Sequence, residues 1–69
     1  MKINVLKVQI MMGERGLTIK KLAELSGVSR QTISCIISGK GCTPQVAYKI
    51  AIALEQELSQ IVKEDVENG

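Results

Sequence analysis

The sequence has almost no aromatic residues and no histidine. Its 69 residues include one Tyr and neither Phe nor Trp, so a core has to be assembled from Ile, Leu, Val, Met and Ala, which favours packed helices over an aromatic-rich sheet. The lack of histidine removes the commonest general acid–base group, and Tyr48 with the single Asp65 forms no catalytic constellation. The chain is therefore predicted not to be an enzyme and to need no cofactor.

Cysteines and long hydrophobic runs are also scarce. Cys35 and Cys42 are too few for a disulfide framework, which is typical of a reducing compartment, and without histidine they cannot form the usual zinc sites within one chain. No stretch approaches the ~18 consecutive apolar residues of a membrane span, and the start of the chain lacks the features of a signal peptide. We expect one cytoplasmic domain with no metal, no membrane partner and no small-molecule substrate.

Charge is distributed unevenly along the chain. Residues 1–54 carry eight basic and two acidic side chains, a net charge of +6, whereas residues 55–69 carry one basic and five acidic side chains, a net charge of −4. A basic body with an acidic end is typical of a protein that binds a polyanion on one face. The alternative is an unevenly charged, solvated surface. Residues 63–69 are interpreted as an acidic tail that we expect to fray.

Glycine-containing breaks divide the chain into five short segments with helical apolar spacing. The predicted helices run from about Ile3 to Met12, from Thr18 to about Ser26, from Ser29 to Gly39, from Thr43 to about Leu54, and from about Leu58 to Val62. Side chains suited to N-caps begin three of them, Pro44 fits the first position of the fourth, and Gly39 fits a helix end. The fourth helix carries an apolar stripe: Ala47, Ile50, Ala51 and Leu54.

The second and third helices are joined by Ser26-Gly27-Val28-Ser29, a short turn that contains glycine. Two short helices joined in this way form a helix-turn-helix arrangement, in which they cross at a steep angle. Ala23 is small enough to let the helices approach, and Val28 can fill the corner between them. The sequence therefore predicts a compact all-α domain over residues 1–62, with this pair as its second and third helices.

Residues 17–40, LTIKKLAELSGVSRQTISCIISGK, resemble the helix-turn-helix of the Cro/phage-repressor (XRE-type) family, and residues 43–54, TPQVAYKIAIAL, resemble its fourth helix. The resemblance implies a lambda repressor-like fold. It also implies a transcriptional regulator that binds double-stranded DNA sequence-specifically, here as a repressor on a palindromic operator. The alternative is an antitoxin-type interaction module, which would neutralise a partner protein and regulate its own expression through DNA binding.

In this family the third helix lies in the major groove. The resemblance implies that the outward positions of this helix read bases, and these are Ser29, Arg30, Gln31, Ser34 and Cys35. Arg30 can donate to guanine O6 and N7, and Gln31 can pair with adenine N6 and N7; the alternative is that both are merely solvated. Phosphate contacts are implied on either side of the helix, at Thr18, Lys20, Lys40 and Gly41, and at its edge, where Thr32 could reach phosphate or thymine. Lys21 is the alternative to Lys20, and one or both of these lysines could be merely solvated.

Four positions depart from the family pattern or carry an unusual residue. Ile19 replaces a Gln that often contacts phosphate or braces the third helix, so that contact is not expected. Met12 and Ile37 replace an Arg–Glu ion pair; because both members are apolar here, we predict that they touch and stabilise the core. A base-facing Cys35 would permit a redox switch, but an unreactive small residue is the favoured alternative, because only Arg30 could activate its thiolate.

Two apolar residues are predicted to mediate assembly. Ile52 lies off the apolar stripe of the fourth helix, at a position that is commonly charged in the family. Leu58 begins the last helix, near the surface through which short family members pair. We predict a homodimer through Ile52 and Leu58 that reads two half-sites about one helical turn apart. The alternative is that Leu58 closes the bottom of the core and Ile52 is incidental.

Overall fold

A computed structural model describes residues 1–63 and confirms an all-α fold of five helices. In chain order the helices are α1 Val5–Arg15, α2 Ile19–Ser26, α3 Arg30–Ile37, α4 Pro44–Ala53 and α5 Leu58–Ile61. None of them is long and apolar enough to cross a membrane. The acidic tail predicted from residue 63 onward lies, apart from Lys63, outside the described residues.

Side-chain caps fix where four of the helices begin. In each case a side-chain oxygen accepts a hydrogen bond from the backbone N–H three residues further on, and the capping residues are Asn4, Thr18, Ser29 and Thr43. Such a bond satisfies one of the N–H groups that a helix start leaves without an intrahelical partner. The last three caps were predicted. The first was missed, so α1 begins at Val5 and not at Ile3.

The carboxyl ends of α3 and α4 use the same hydrogen-bond pattern. At α3, Gly39 donates to the Ile36 carbonyl at 2.9 Å and Lys40 donates to the Cys35 carbonyl at 3.1 Å, with Gly39 at φ 107°. This two-bond motif satisfies carbonyls that the helix leaves free, and it requires a left-handed residue, which favours glycine. At α4 the left-handed position is held by Glu55, at φ 58°.

The core lies between α4 and the helices around it. α4 packs against α2 and α5, α2 packs against α3, and α1 packs against α5. The apolar stripe predicted on α4 is confirmed, since all four of its residues are buried. Leu22 of α2 and Val28 of the turn are buried as well, so Val28 fills the corner between α2 and α3 as predicted.

Three large apolar residues whose helical spacing would also fit a core face lie in solvent instead. Leu6 is 67% exposed, Ile10 is 52% exposed and Leu25 is 53% exposed. On α1 the buried residues are Val8 and Met12. A displacement of two residues along a helix is a rotation of about 200°, so Leu6 and Ile10 point away from the face that Val8 and Met12 bury.

The departures from the family pattern at three positions are consistent with their burial. Ile19 is half-buried and packs against the core, where an apolar side chain is better accommodated than an unpaired polar one. Met12 is buried and Ile37 is half-buried, and both belong to the same apolar cluster. The direct contact between Met12 and Ile37 stays a prediction.

The N-terminal segment, Met1–Asn4, is extended and was not predicted. Ile3 is buried and forms an antiparallel bridge with Val62. The Asn4 N–H donates to the Ile61 carbonyl at 2.7 Å, and the Lys63 N–H donates to the Lys2 carbonyl at 2.9 Å. The segment therefore ties the beginning of the chain to the residues that follow α5.

Candidate nucleic-acid interface

The turn between α2 and α3 is held by local hydrogen bonds. Gly27 adopts φ 74° and donates to the Ala23 carbonyl at 2.9 Å, a left-handed helix end that glycine accepts without a steric penalty. The Ser26 hydroxyl accepts from the Val28 N–H at 3.2 Å. With Val28 buried, these bonds define the path of the chain into α3 and hence the direction in which α3 starts.

The first turn of α3 presents polar side chains to solvent. Arg30, Gln31 and Ser34 are exposed, whereas Ile33 and Ile36 on the opposite face are 1% and 2% exposed. Neither Arg30 nor Gln31 forms an ion pair or a side-chain hydrogen bond with any residue in the range 1–63. Within the described residues both side chains are free to bind a partner, and the buried isoleucines pack the helix that carries them against the core.

Three other predicted residues of the α3 region are less free. The Ser29 hydroxyl accepts from the Thr32 N–H at 3.1 Å and donates to Thr32 Oγ1 at 2.8 Å, so it serves as the helix cap. Thr32 is half-buried and is engaged by that bond. Cys35 is half-buried and lies at the edge of the outward face. Of the five predicted base-reading residues, Arg30, Gln31 and Ser34 are the most accessible.

The predicted phosphate-binding residues other than Thr32 lie before and after α3 in the chain. Thr18 and Lys20 are exposed at the start of α2, where free backbone N–H groups and the helix dipole favour an anion. Lys21, the alternative to Lys20, is 3.9 Å from Glu24. Lys40 and Gly41 are exposed in the loop after α3, and the Gly41 N–H donates to no acceptor among residues 1–63.

The two predicted dimer residues differ in burial. Ile52 is 57% exposed on α4. Tyr48 lies one turn earlier and is exposed to the same extent, so two large side chains form an apolar stripe in solvent. Leu58 is half-buried and packs against the core. This burial favours the alternative in which Leu58 closes the core.

Sequence reasoning missed the contacts between the N-terminal segment and the loop that carries Lys40 and Gly41. The Lys2 ammonium group donates to the Gly39 carbonyl at 2.9 Å, and the Cys42 N–H donates to the Met1 carbonyl at 2.8 Å. Both contacts hold the loop that carries Lys40 and Gly41. The Cys42 thiol is half-buried beside this segment, and burial raises its pKa. The one local signal was Asn4, a good N-cap residue that places the preceding residues outside α1.

Comparison with known proteins assigns the described helices to a family. A family model described as helix-turn-helix matches residues 8–61, a range that includes α2, the turn, α3 and α4 in full. No curated protein matches the chain. The part of the chain before residue 8, including the N-terminal segment, lies outside the matched range.

Three solved structures resemble the whole chain at 26% sequence identity. They are a mutant of hydroxyethylphosphonate dioxygenase, with a TM-score of 0.83, and two structures of PhpD, one with cadmium and hydroxyethylphosphonate and one native with cadmium atoms, each with a TM-score of 0.82. The likeness covers 100% of this chain but only 15% of each of those chains. It therefore concerns one small part of a much larger protein.

Proposed function

We propose, from the premise that this chain belongs to the XRE-type helix-turn-helix family of DNA-binding regulators, that it recognises a specific double-stranded DNA sequence with α3 and acts as a repressor. The observation that carries the proposal is the first turn of α3. There Arg30 and Gln31 are exposed and unpaired within residues 1–63, on a helix whose opposite face is buried. This is the arrangement that the major groove requires of a recognition helix.

Base recognition is assigned mainly to Arg30 and Gln31. A guanidinium group can donate two parallel hydrogen bonds to guanine O6 and N7, and an amide can pair with adenine N6 and N7. Each such pair contributes about 1–3 kcal/mol of discrimination against the wrong base. Ser34, one turn further on, is small enough to let α3 enter deeply and can bond to either kind of base. Ser29 contributes by capping the helix, and Cys35 borders the contact.

Phosphate binding is assigned to groups on both sides of α3. Thr18 and Lys20 lie at the start of α2. Lys40 lies in the loop after α3 together with Gly41, whose N–H has no acceptor among residues 1–63. Thr32 lies between them, at the edge of α3. Such contacts fix the register of the protein on the duplex and carry no sequence information. They make the affinity strongly dependent on salt, because each neutralised phosphate releases counterions.

Dimer formation is assigned to the exposed stripe of α4, in which Tyr48 and Ile52 are one turn apart, and to the exposed part of Leu58. Apolar side chains gain most from leaving water when they meet an apolar partner surface. A two-fold dimer would place two copies of α3 on half-sites about one helical turn apart, which predicts a palindromic operator. Occupation of such a site would exclude other proteins from it, and this is how we expect repression to work.

A selection from a random duplex library with the purified full chain tests this proposal. We expect enrichment of one sequence with two-fold symmetry and half-sites separated by about one turn of DNA. Enrichment of a single half-site would support DNA reading and remove the dimer. A library without any enrichment, combined with a stable complex between the α4 stripe and a different protein, would contradict the proposal and favour the antitoxin-type alternative.

A further inference from the structure

The loop after α3 is held by residues that are distant in sequence. It runs from Gly39 to Cys42 and contains Lys40 and Gly41. At its beginning the Gly39 carbonyl accepts a hydrogen bond from the Lys2 ammonium group, 37 residues away in the chain, at 2.9 Å. At its end the Cys42 N–H donates to the Met1 carbonyl at 2.8 Å. The loop is therefore fixed at both ends by the N-terminal segment.

The N-terminal segment is itself anchored to the end of α5 and the residues that follow it. Ile3 is 5% exposed and pairs with Val62, and two backbone hydrogen bonds flank that pair, from Asn4 to Ile61 and from Lys63 to Lys2. A segment with a buried side chain and paired backbone groups has little freedom to move. The segment therefore fixes the position of the loop that it contacts.

The packing between segment and loop is close. A Cβ atom added at Gly41 would lie 3.2 Å from the Met1 carbonyl oxygen, which is tighter than ordinary van der Waals contact. The backbones of the segment and the loop approach each other so closely that only glycine fits between them without a shift. By contrast, a Cβ atom at Gly13 would meet no atom within 4 Å.

We propose that Lys2 is a positioning residue for DNA binding, and that it acts by holding the loop so that Lys40 and the Gly41 N–H face the same phosphate. The inference rests on the proposed function. An ammonium group has three donors, and it lies against the carbonyl end of α3, where the helix dipole favours a positive charge. The segment precedes the residues that match the family. The contact between Lys2 and the loop is therefore a feature outside the matched helix-turn-helix region.

The test compares the unmodified chain with three lysine variants and, separately, with two glycine variants. Lys2→Met removes the hydrogen bond, Lys2→Arg retains a cationic donor, and Lys7→Met is the charge-matched control. Lys7 is exposed and its side chain bonds to no residue within 1–63. Affinity for the selected operator is measured over a range of salt concentrations. Amide hydrogen exchange at Cys42 is measured without DNA, and it reports whether the N-terminal segment still holds the loop.

We expect Lys2→Met to weaken binding by about fivefold more than Lys7→Met, with faster exchange at the Cys42 amide, and Lys2→Arg to restore both. Gly41→Ala should also speed hydrogen exchange at the Cys42 amide relative to Gly13→Ala, and neither substitution changes the charge. Equal behaviour of Lys2→Met and Lys7→Met in both measurements would overturn the proposal. So would an affinity loss in Lys2→Met with unchanged exchange and a salt slope shallower by about one, because that result makes Lys2 a direct phosphate ligand.

The two proposals fail in different ways. If the unmodified chain binds no duplex, the proposed function is wrong. The role of Lys2 in DNA binding is then wrong as well, even if Lys2→Met speeds hydrogen exchange at the Cys42 amide. If the unmodified chain binds its operator and all Lys2 variants match the control, only the positioning role is wrong.

Discussion

The outward faces of α3 and α4 leave very different side chains in solvent. Both helices bury isoleucines, Ile33 on α3 and Ile50 on α4, each 1% exposed. Outside, α3 shows Arg30 and Gln31, whereas α4 shows Tyr48 and Ile52. Neither outer face is needed to build the core. The inner faces therefore carry stability, and we propose that the outer faces meet two kinds of partner: a polyanion at α3 and a protein surface at α4.

The largest effect should come from the two residues predicted at the dimer interface. Leu58→Asp introduces a carboxylate into a half-buried position packed on the core, and we expect a loss of about 2–4 kcal/mol in the free energy of unfolding. Ile52→Asp changes a residue that is 57% exposed, so the fold should persist and the dimer should dissociate. Circular dichroism melts and sedimentation measure the two effects.

The matched outcome for this pair is a folded monomer for Ile52→Asp and a strongly lowered melting temperature for Leu58→Asp. An Ile52→Asp variant that still dimerises and binds its operator cooperatively would remove the α4 stripe from the interface. A stable, monomeric Leu58→Asp variant would show instead that Leu58 acts at the interface and contributes little to the core.

A smaller difference in stability is expected between substitutions on the buried and the exposed face of α3. Ile37→Glu places a carboxylate on the half-buried side, and we expect a loss of about 1–3 kcal/mol in unfolding free energy. Ser34→Glu places the same charge on the exposed side, so stability should change little while DNA binding is lost by repulsion from phosphate. Thermal melts and binding assays on both variants test this. Equal melting temperatures for the two variants would contradict the assignment of the faces.

The predicted contact between Met12 and Ile37 can be tested in the same series. Met12→Arg added to Ile37→Glu should recover part of the lost stability, because the two charges would pair where the family often has an ion pair. Additive effects in a double-mutant cycle would mean that the residues do not touch.

Local chemistry explains which parts of the fold could be predicted from the sequence. Thr18, Ser29 and Thr43 cap helices because their side-chain oxygens reach a backbone N–H three residues on, and that geometry depends on nearby residues alone. The bridge between Ile3 and Val62 depends on the packing of all five helices. Nothing in the composition of either short segment indicates that they pair, so Ile3 was assigned to α1.

The candidate site, like the fold, could be predicted where it depends on helical periodicity alone. Helical periodicity places Arg30, Gln31 and Ser34 on the side opposite Ile33 and Ile36, and the structure confirms this arrangement. The Ser29 cap follows from the sequence, but periodicity could not show that the Ser29 hydroxyl also donates to Thr32 Oγ1. It also could not show that Leu6 and Ile10 remain exposed, because two apolar faces of α1 fit the spacing equally well.

The smallest effect concerns the end of α4, where Glu55 adopts a left-handed conformation at φ 58°. A side chain costs about 1 kcal/mol in this region, and glycine avoids that cost. We expect Glu55→Gly to raise the free energy of unfolding by about 0.5–1 kcal/mol and to leave operator affinity unchanged. The opposite change, Gly39→Ala at φ 107°, should destabilise. A Glu55→Gly variant that loses dimerisation would instead assign Glu55 to the protein-binding side of the molecule.

The measurement that tests the central claim most directly compares Arg30→Ala with Lys40→Ala on the selected operator and on its single-base variants. The account predicts that Arg30→Ala relaxes preference at one base pair of each half-site, whereas Lys40→Ala weakens all duplexes alike and makes the salt slope shallower by about one. If Arg30→Ala keeps the full base preference of the unmodified chain, α3 does not read DNA through Arg30 and the assignment of the recognition face is wrong.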